Sequence, residues 1–263
     1  MSGGGLGQLG VQVGSVARRS VARTLRQPAV IVPSLVFPLF LLAINSGGLD
    51  KATEIPGFPT DSFLDFAIAI AFMQGALFAT TNAGADVARD VETGFLSRLS
   101  LTPLRGSALL VGQLAGPLAL GFVQAVVFLT VGLIAGARLE SGVGGAFVLI
   151  ALALLVALGF AAFGTFLALR SGSGEAVQGF FPLLFVLLFL SSMNLPRDLI
   201  EIDWFRTIAT YNPVSYLIEG FRSLFIVGWD AQALALGFGL AGVIVVGSVA
   251  LAATALRSRL GRA

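Results

Sequence analysis

One segment of this sequence, residues 84–106, concentrates side chains suited to binding another protein. Carboxylates, guanidinium groups and leucines follow one another closely there, and a proline fixes a turn at the end of the run. The candidate contact residues are Arg89, Glu92, Gly94, Leu96, Arg98, Leu99, Thr102 and Pro103. Ion pairs beside a compact apolar face suit the docking of a soluble partner. A solvated connecting loop is the alternative interpretation.

The sequence is poor in groups that do covalent chemistry. It contains no His and no Cys, which excludes disulfides, Cys/His zinc sites, a Cys nucleophile and a His base. No GxxxxGK[ST] motif is present, so a partner must bind ATP if ATP is used. We therefore predict no catalytic residue, no metal site and no cofactor bound by this chain.

The remaining candidates are polar or aromatic residues within apolar stretches, where they would line a pathway for a substrate. They are Phe72, Gln74, Phe78, Asn82, Gln124 and Phe128. A polar side chain facing lipid is costly, so each Gln is expected to face either the pathway or a neighbouring helix. The apolar stretches have no charged residue near their middle, which disfavours a proton- or ion-coupled transporter.

The elements that must position these residues are apolar helices. Hydrophobic residues make up 56% of the chain and charged residues only 11%, whereas soluble domains have about 25% charged residues. A membrane span needs about 20 apolar residues, and lipid forces such a span to be helical. The sequence predicts six transmembrane helices, at approximately 29–46, 64–83, 107–137, 143–169, 176–193 and 231–256.

Two further elements complete this all-α membrane protein of one domain. Residues 1–28 form a basic amphipathic pattern, typical of an interfacial helix on the membrane surface, with an ordinary cytoplasmic helix as the alternative. Residues 194–230 are aromatic-rich but too charged to span. Asn212 and Pro213 predict a helix start there. This segment is interpreted either as re-entrant or as lying flat on the outer surface, before the last span.

The distribution of cations predicts the orientation. With both termini in the cytoplasm, eleven Lys and Arg residues lie inside and five outside, as the positive-inside rule requires. This arrangement makes residues 84–106 a cytoplasmic region and residues 194–230 an extracytoplasmic one. We expect a bacterial or archaeal cytoplasmic membrane protein.

Three motifs, in this order along the chain, resemble those of ABC type-2 exporter permeases, and most closely the daunorubicin-resistance type of drug and lipid exporters. The first motif is Leu25-Arg-Gln-Pro28 at the end of the interfacial helix. The second comprises Glu92-x-Gly94, Leu96, Arg98, Leu99, Thr102-Pro103 and Gly112-Gln-Leu-Ala. The third is Tyr211-Asn-Pro-x-x-Tyr216 followed by Glu219-x-x-Arg222.

The resemblance implies a non-enzymatic permease subunit that exports a hydrophobic or amphipathic substrate, such as a drug, a lipid or a lipid-like metabolite. Two permeases, either two copies or this chain and a paralogue, would pair among membrane lipids. Each would contact one of two ATPase subunits, which would hold the ATP and Mg²⁺. Residues 84–106 would couple the permease to the ATPase. Tyr211, Asn212, Pro213, Tyr216, Glu219 and Arg222 would form an outer gate.

Three other functions remain open from the sequence. A polysaccharide or lipid-linked glycan exporter would share the same fold. A channel would conduct without nucleotide. An intramembrane enzyme acting on lipids would need clustered carboxylates, His or Lys at membrane depth, which this sequence lacks. No feature of the sequence indicates a nucleic-acid partner.

Overall fold

A computed structural model describes residues 4–95, 98 and 106–260. Within these residues the chain forms nine α-helices and two short 3₁₀ helices, Asp50–Glu54 and Arg197–Leu199, and no strand. The α-helices are α1 (Gly4–Leu25), α2 (Pro28–Gly48), α3 (Phe63–Glu92), α4 (Gly106–Ile134), α5 (Gly142–Ser171), α6 (Gly174–Phe189), α7 (Asp203–Tyr211), α8 (Pro213–Ile226) and α9 (Ala231–Leu260).

Five of these helices, α2, α3, α4, α5 and α9, are long and apolar enough to cross a membrane. The sixth apolar helix, α6, has 16 residues. At 1.5 Å per residue α6 is about 24 Å long, somewhat less than a bilayer core of about 30 Å. The prediction of an all-α membrane protein with about six spans is confirmed.

The fifth apolar stretch was predicted to run to residue 193, but α6 ends at Phe189. The guanidinium of Arg222 donates hydrogen bonds to the carbonyl oxygens of Ser192 and Met193, at 3.1 and 3.0 Å. The backbone N–H of Ser192 donates to the hydroxyl of Ser215 at 3.0 Å. The distant segment around α8 therefore binds the backbone groups that would otherwise continue the helix.

Helix α3 is the centre of the bundle and is almost entirely buried. Glycines on α3 itself and on its neighbour α5 allow close approach. A Cβ added at Gly164 of α5 would lie 1.9 Å from the carbonyl oxygen of Thr80, and one at Gly84 would lie 2.4 Å from Val177 of α6. Helices α2 and α9, by contrast, expose most of their apolar surface.

Helix α8 is buried among α3, α5 and α9, whereas α7 is largely exposed. The predicted helix start is confirmed: Asn212 Oδ1 accepts a hydrogen bond from the backbone N–H of Val214 at 2.9 Å, and Pro213 is the first helical residue. The burial of α8 favours an element inserted into the bundle over one lying flat on its surface.

The helices alternate between two ends of the bundle. At one end, Arg23 contacts Asp86, Glu92 contacts Gly174, and Arg259 contacts Leu169. We call this the charged end. At the other end, Asp65 accepts a hydrogen bond from the Arg138 backbone and Ser141 donates one to Leu224. Helix α1 and the last turn of α9 both lie at the charged end.

Candidate functional site

An ion network at the charged end connects α1 to α3. Arg23 contacts Asp86 at 2.9 Å and Asp90 at 3.0 Å, and Arg19 contacts Asp90 at 3.3 Å. The Asp90 carboxylate also accepts a hydrogen bond from Gln113 of α4 at 3.4 Å. Because residues four apart share one helix face, the pairs Arg19/Arg23 and Asp86/Asp90 meet face to face. The network joins three helices through one carboxylate.

Close backbone packing holds α1 against α4. A Cβ added at Gly112 would lie 2.6 Å from Val16, and one at Gly116 would lie 2.8 Å from the Ser20 carbonyl oxygen. Pro117 has no N–H, so the carbonyl oxygen of Gln113 loses its usual partner within the helix. The Ser20 hydroxyl donates to that carbonyl at 2.7 Å and accepts from the Gly116 N–H at 3.1 Å. Ser20 of α1 thus supplies the hydrogen bond that the Gln113 carbonyl oxygen lacks within α4.

The predicted coupling segment, residues 84–106, includes Asp86 and Asp90 of the network and continues past the end of α3. The guanidinium of Arg19 lies 3.8 Å from the centre of the Phe95 ring. The Glu92 carboxylate accepts a hydrogen bond from the Gly174 N–H at 3.3 Å, which links α3 to the α5–α6 turn. Gly94 has a positive φ of 66°, a conformation that favours glycine. The end of α3 is therefore tied to α1 and to the α5–α6 turn.

The structure describes two of the remaining predicted coupling residues, Arg89 and Arg98. Arg89 and Arg98 are exposed, and the Arg98 backbone N–H donates to the Gly94 carbonyl oxygen at 3.1 Å. Leu96, Leu99, Thr102 and Pro103 lie outside the described residues. Their contribution to docking stays a prediction.

Arg222 organises the opposite end of the bundle. Its guanidinium is buried and donates to the carbonyl oxygens of Phe66, Ser192 and Met193 at 3.0–3.1 Å. It also lies 3.4 Å from the centre of the Phe66 ring. Partial charges of carbonyl groups and an aromatic face thus surround the cation. Arg222 fixes α8 to α3 and to the turn after α6.

Two other predicted gate residues, Glu219 and Tyr216, both contact Arg197. Glu219 pairs with Arg197 at 2.5 Å and accepts from the Ser192 hydroxyl at 3.1 Å. The guanidinium of Arg197 lies 4.6 Å from the centre of the Tyr216 ring.

Tyr216 and Asn212 link α7 to its neighbours. The Tyr216 hydroxyl donates to the Thr210 carbonyl oxygen at 2.8 Å, and Asn212 donates to Leu187 at 2.6 Å. Tyr211 and Pro213 are exposed. Of the motif residues, Glu219 and Arg222 line an open cleft of about 490 Å³ between α8, the start of α9 and the loop after α6. The role of the motif as a gate stays a prediction.

Three of the predicted pathway residues are packed inside the chain. The Phe72 ring stacks on Phe221 at 5.4 Å and meets Phe128 edge-on at 5.9 Å. Gln124 donates to the carbonyl oxygen of Ser34 at 3.1 Å. Pro38 cannot donate a hydrogen bond to that carbonyl, which leaves it free for Gln124. The contact of Gln124 with a neighbouring helix accounts for its polar side chain.

The other three lie on one face of α3, because Gln74, Phe78 and Asn82 are spaced by four residues. Phe78 contacts the rings of Phe37 on α2 at 6.0 Å and Phe181 on α6 at 5.3 Å. Gln74 Oε1 and Asn82 Nδ2 are buried without a hydrogen-bond partner among the described residues. This face therefore combines aromatic rings with unused hydrogen-bonding capacity.

Sequence reasoning missed the network formed by Arg19, Arg23, Asp86 and Asp90. The arginines were assigned to contact with the membrane surface, and neither acid was paired with them. A signal was present, since both pairs have the four-residue spacing of one helix face. That spacing predicts a charged stripe but not which other stripe it meets.

A family model for the ABC-2 type transporter matches residues 11–226, from the middle of α1 to the end of α8. The chain belongs to this family. The match includes the ion network, the coupling segment and the α7–α8 motif. An ABC-2 permease is a multi-pass membrane protein that acts as the transmembrane part of a transporter and assembles with an ABC ATPase subunit.

Relatives in two lineages carry transport-related names. The chain is 23% identical over 236 residues to a probable doxorubicin resistance ABC transporter permease, DrrC, of Mycobacterium tuberculosis, found in two strains. That alignment covers 89% of this chain and 84% of the relative. The chain is also 26% identical over 215 residues to a putative transport permease, ycf38, of Cyanophora paradoxa, over 80% of this chain and 72% of that one.

Proposed function

We propose that this chain is the permease subunit of an exporter driven by ATP hydrolysis on a separate subunit. The observation that carries the proposal is the network at the charged end. It connects α1 to the end of α3, with which the predicted coupling segment begins, and to the start of α4, which follows that segment. A force applied by an ATPase to that segment would reach α3 directly, and α3 contacts most of the bundle.

The proposed complex contains two permeases, either two copies or this chain with a paralogue, and two ATPase subunits that hold ATP and Mg²⁺. Both termini and the charged end face the cytoplasm, where the ATPase is made. Helix α8 enters the bundle from the opposite side and, together with α7, acts as the outer gate. The cation asymmetry of the sequence supports this orientation.

The proposed substrate is a hydrophobic or amphipathic molecule. The face of α3 with Gln74, Phe78 and Asn82 supports this choice, because aromatic rings and unpaired polar atoms together suit a ligand with an apolar body and a few polar groups. The name of the mycobacterial relative points to the same class of substrate. A polysaccharide or lipid-linked glycan remains the second candidate, because it would use the same fold.

Co-purification tests the proposal. The tagged permease is expressed in its source organism and isolated in mild detergent with any ABC ATPase that it binds. We expect a stable complex whose ATP hydrolysis is stimulated by doxorubicin or by a short-chain phospholipid. A permease that binds no ATPase would overturn the proposal. Stimulation by a lipid-linked glycan alone would favour the second candidate.

A further inference from the structure

A second, apolar pocket lies inside the bundle, away from the ion network and from the α3 face described above. Its volume is about 160 Å³, and its lining includes Leu77, Phe160, Leu187, Val214, Ile244 and Ser248. Leu77, Phe160 and Ile244 lie near the middle of α3, α5 and α9, which places the pocket at the depth of the hydrocarbon core.

The tip of α8 reaches this pocket. Pro213 and Val214, the first two residues of α8, belong to the lining. Irregular backbone at membrane depth is tolerated only where protein surrounds it or where a polar partner satisfies it. The Asn212 side chain satisfies the Val214 N–H, so the pocket needs no polar ligand at this point.

The pocket opens toward the lipid. Helix α6 packs on α3, and α9 packs on α5 and α8, but the described residues of α6 and α9 do not pack closely on each other. We therefore expect the mouth of the pocket between α6 and α9. Leu187 lines the pocket and is 43% exposed, so a lipid tail that touches Leu187 has access to the pocket. Val246 is 71% exposed and lies two residues from both Ile244 and Ser248, on the opposite face of α9, so it faces away from the pocket.

The apolar lining determines which kind of molecule can occupy the pocket. Water is not stable in an apolar cavity, whereas an apolar cavity of roughly 150 Å³ binds a small apolar molecule. Lipid tails are about as apolar as leucine side chains. We propose that the terminal part of one acyl chain of a bilayer phospholipid occupies this pocket and supports the tip of α8.

The test uses the full-length permease in nanodiscs of phosphatidylcholine that contain a phosphatidylcholine with a diazirine on its acyl chain. After illumination, mass spectrometry locates the labelled residues. Val214 is 4% exposed, so label on Val214 reports entry into the pocket. Label on Val246 reports ordinary contact with lipid. We expect both residues to be labelled, and label on Val246 alone would overturn the proposal.

A blocking variant and a matched control sharpen the test. Ser248→Phe fills the pocket and should lower Val214 labelling by about tenfold, with Val246 labelling unchanged. Val246→Phe adds the same side chain on the same helix outside the pocket and should leave Val214 labelling intact. Ser248→Leu replaces the blocking variant if the larger side chain prevents folding. Unchanged Val214 labelling in the blocked variant would contradict the proposal.

A second copy of the chain is the competing occupant. Because the sequence has no cysteine, Leu187→Cys introduces a single thiol at the mouth of the pocket. We expect this variant to stay monomeric on gels after oxidation. A disulfide-linked dimer would show that protein covers the mouth, and the proposal would be wrong. None of these measurements depends on ATP hydrolysis or export, so their outcome is separate from that of the proposed function.

Discussion

Asp90 accepts contacts from three side chains on two other helices: Arg19 and Arg23 on α1, and Gln113 on α4. The carboxylate is about 10% exposed. Hydrogen bonds between charged groups are stronger than neutral ones, and their loss is costly where water cannot replace them. Asp90 is therefore the residue at which α1, α3 and α4 are joined.

We expect Asp90→Asn to lower the free energy of unfolding by about 1–3 kcal/mol, because Arg23 then retains only Asp86 as a charged partner. Thermal unfolding in detergent measures the change. Combined with Arg23→Gln, the two substitutions should show a coupling energy of roughly 0.5–3 kcal/mol. Glu175→Gln, at an exposed acid on α6, is the control and should have little effect. Strictly additive effects of the Arg23 and Asp90 substitutions would contradict the network.

Gly94 tests the coupling segment through its backbone conformation. Its φ is +66°, and an added Cβ would meet nothing within 4 Å in the part of the chain that the structure describes. The left-handed conformation costs an L-residue about 1–2 kcal/mol, least for Asn. We expect Gly94→Val to abolish most export and Gly94→Asn to retain much of it, with membrane insertion intact in both. Equal export by the two variants would show that the conformation of Gly94 does not matter.

The motif residues could be identified from the sequence, but their partners could not. Asn212 and Pro213 identify a helix start from local chemistry alone, because the cap is formed by adjacent residues. Pro38 and Pro117 predict carbonyl groups without helical partners. The structure was needed to show that Gln124 and Ser20 bind those carbonyls, since both contacts join residues about 90 positions apart.

Among the helices, α1 is held against α4 by close backbone packing as well as by the ion network. Gly116→Ala would place a Cβ 2.5 Å from the Ser20 and Thr24 hydroxyl oxygens and 2.8 Å from a backbone oxygen, so the two helices must separate. We expect a loss of about 1–3 kcal/mol in stability, together with reduced export. Thermal unfolding and transport assays measure the two effects.

The matched control is Gly239→Ala on α9, where an added Cβ meets nothing within 4 Å in the described part of the chain. This control should not destabilise the protein. If Gly116→Ala melted like the wild type, close packing of α1 on α4 would be excluded.

The long helices follow from apolar length, and five of the six predicted spans appear as helices of 21 to 30 residues. The residue at which α6 ends cannot be predicted from the length of its apolar stretch. It depends on Arg222, which lies 29 or 30 positions along the chain from the carbonyls that it binds. An apolar run therefore predicts that a span exists, while its end can depend on a contact that only the fold creates.

On the scale of the whole molecule, the charged end and the Arg222 end are joined by α3. Asp86 and Asp90 contact α1 at one end of this helix, and the carbonyl oxygen of Phe66 binds Arg222 at the other. The composition predicted the membrane class, and the cation count predicted which end faces inward. Neither could show that a single buried helix connects the coupling segment to α8.

Movement of substrate driven by ATP tests most directly whether this chain is the permease of an ATP-driven exporter. Permease and ATPase are reconstituted into proteoliposomes, and the uptake of a fluorescent amphipathic probe is followed in inside-out vesicles. We expect accumulation only when ATP, Mg²⁺ and both subunits are present, and a reduced rate with the Asp90→Asn permease. Probe movement that is equally fast without ATP would indicate a channel and would contradict ATP-driven export.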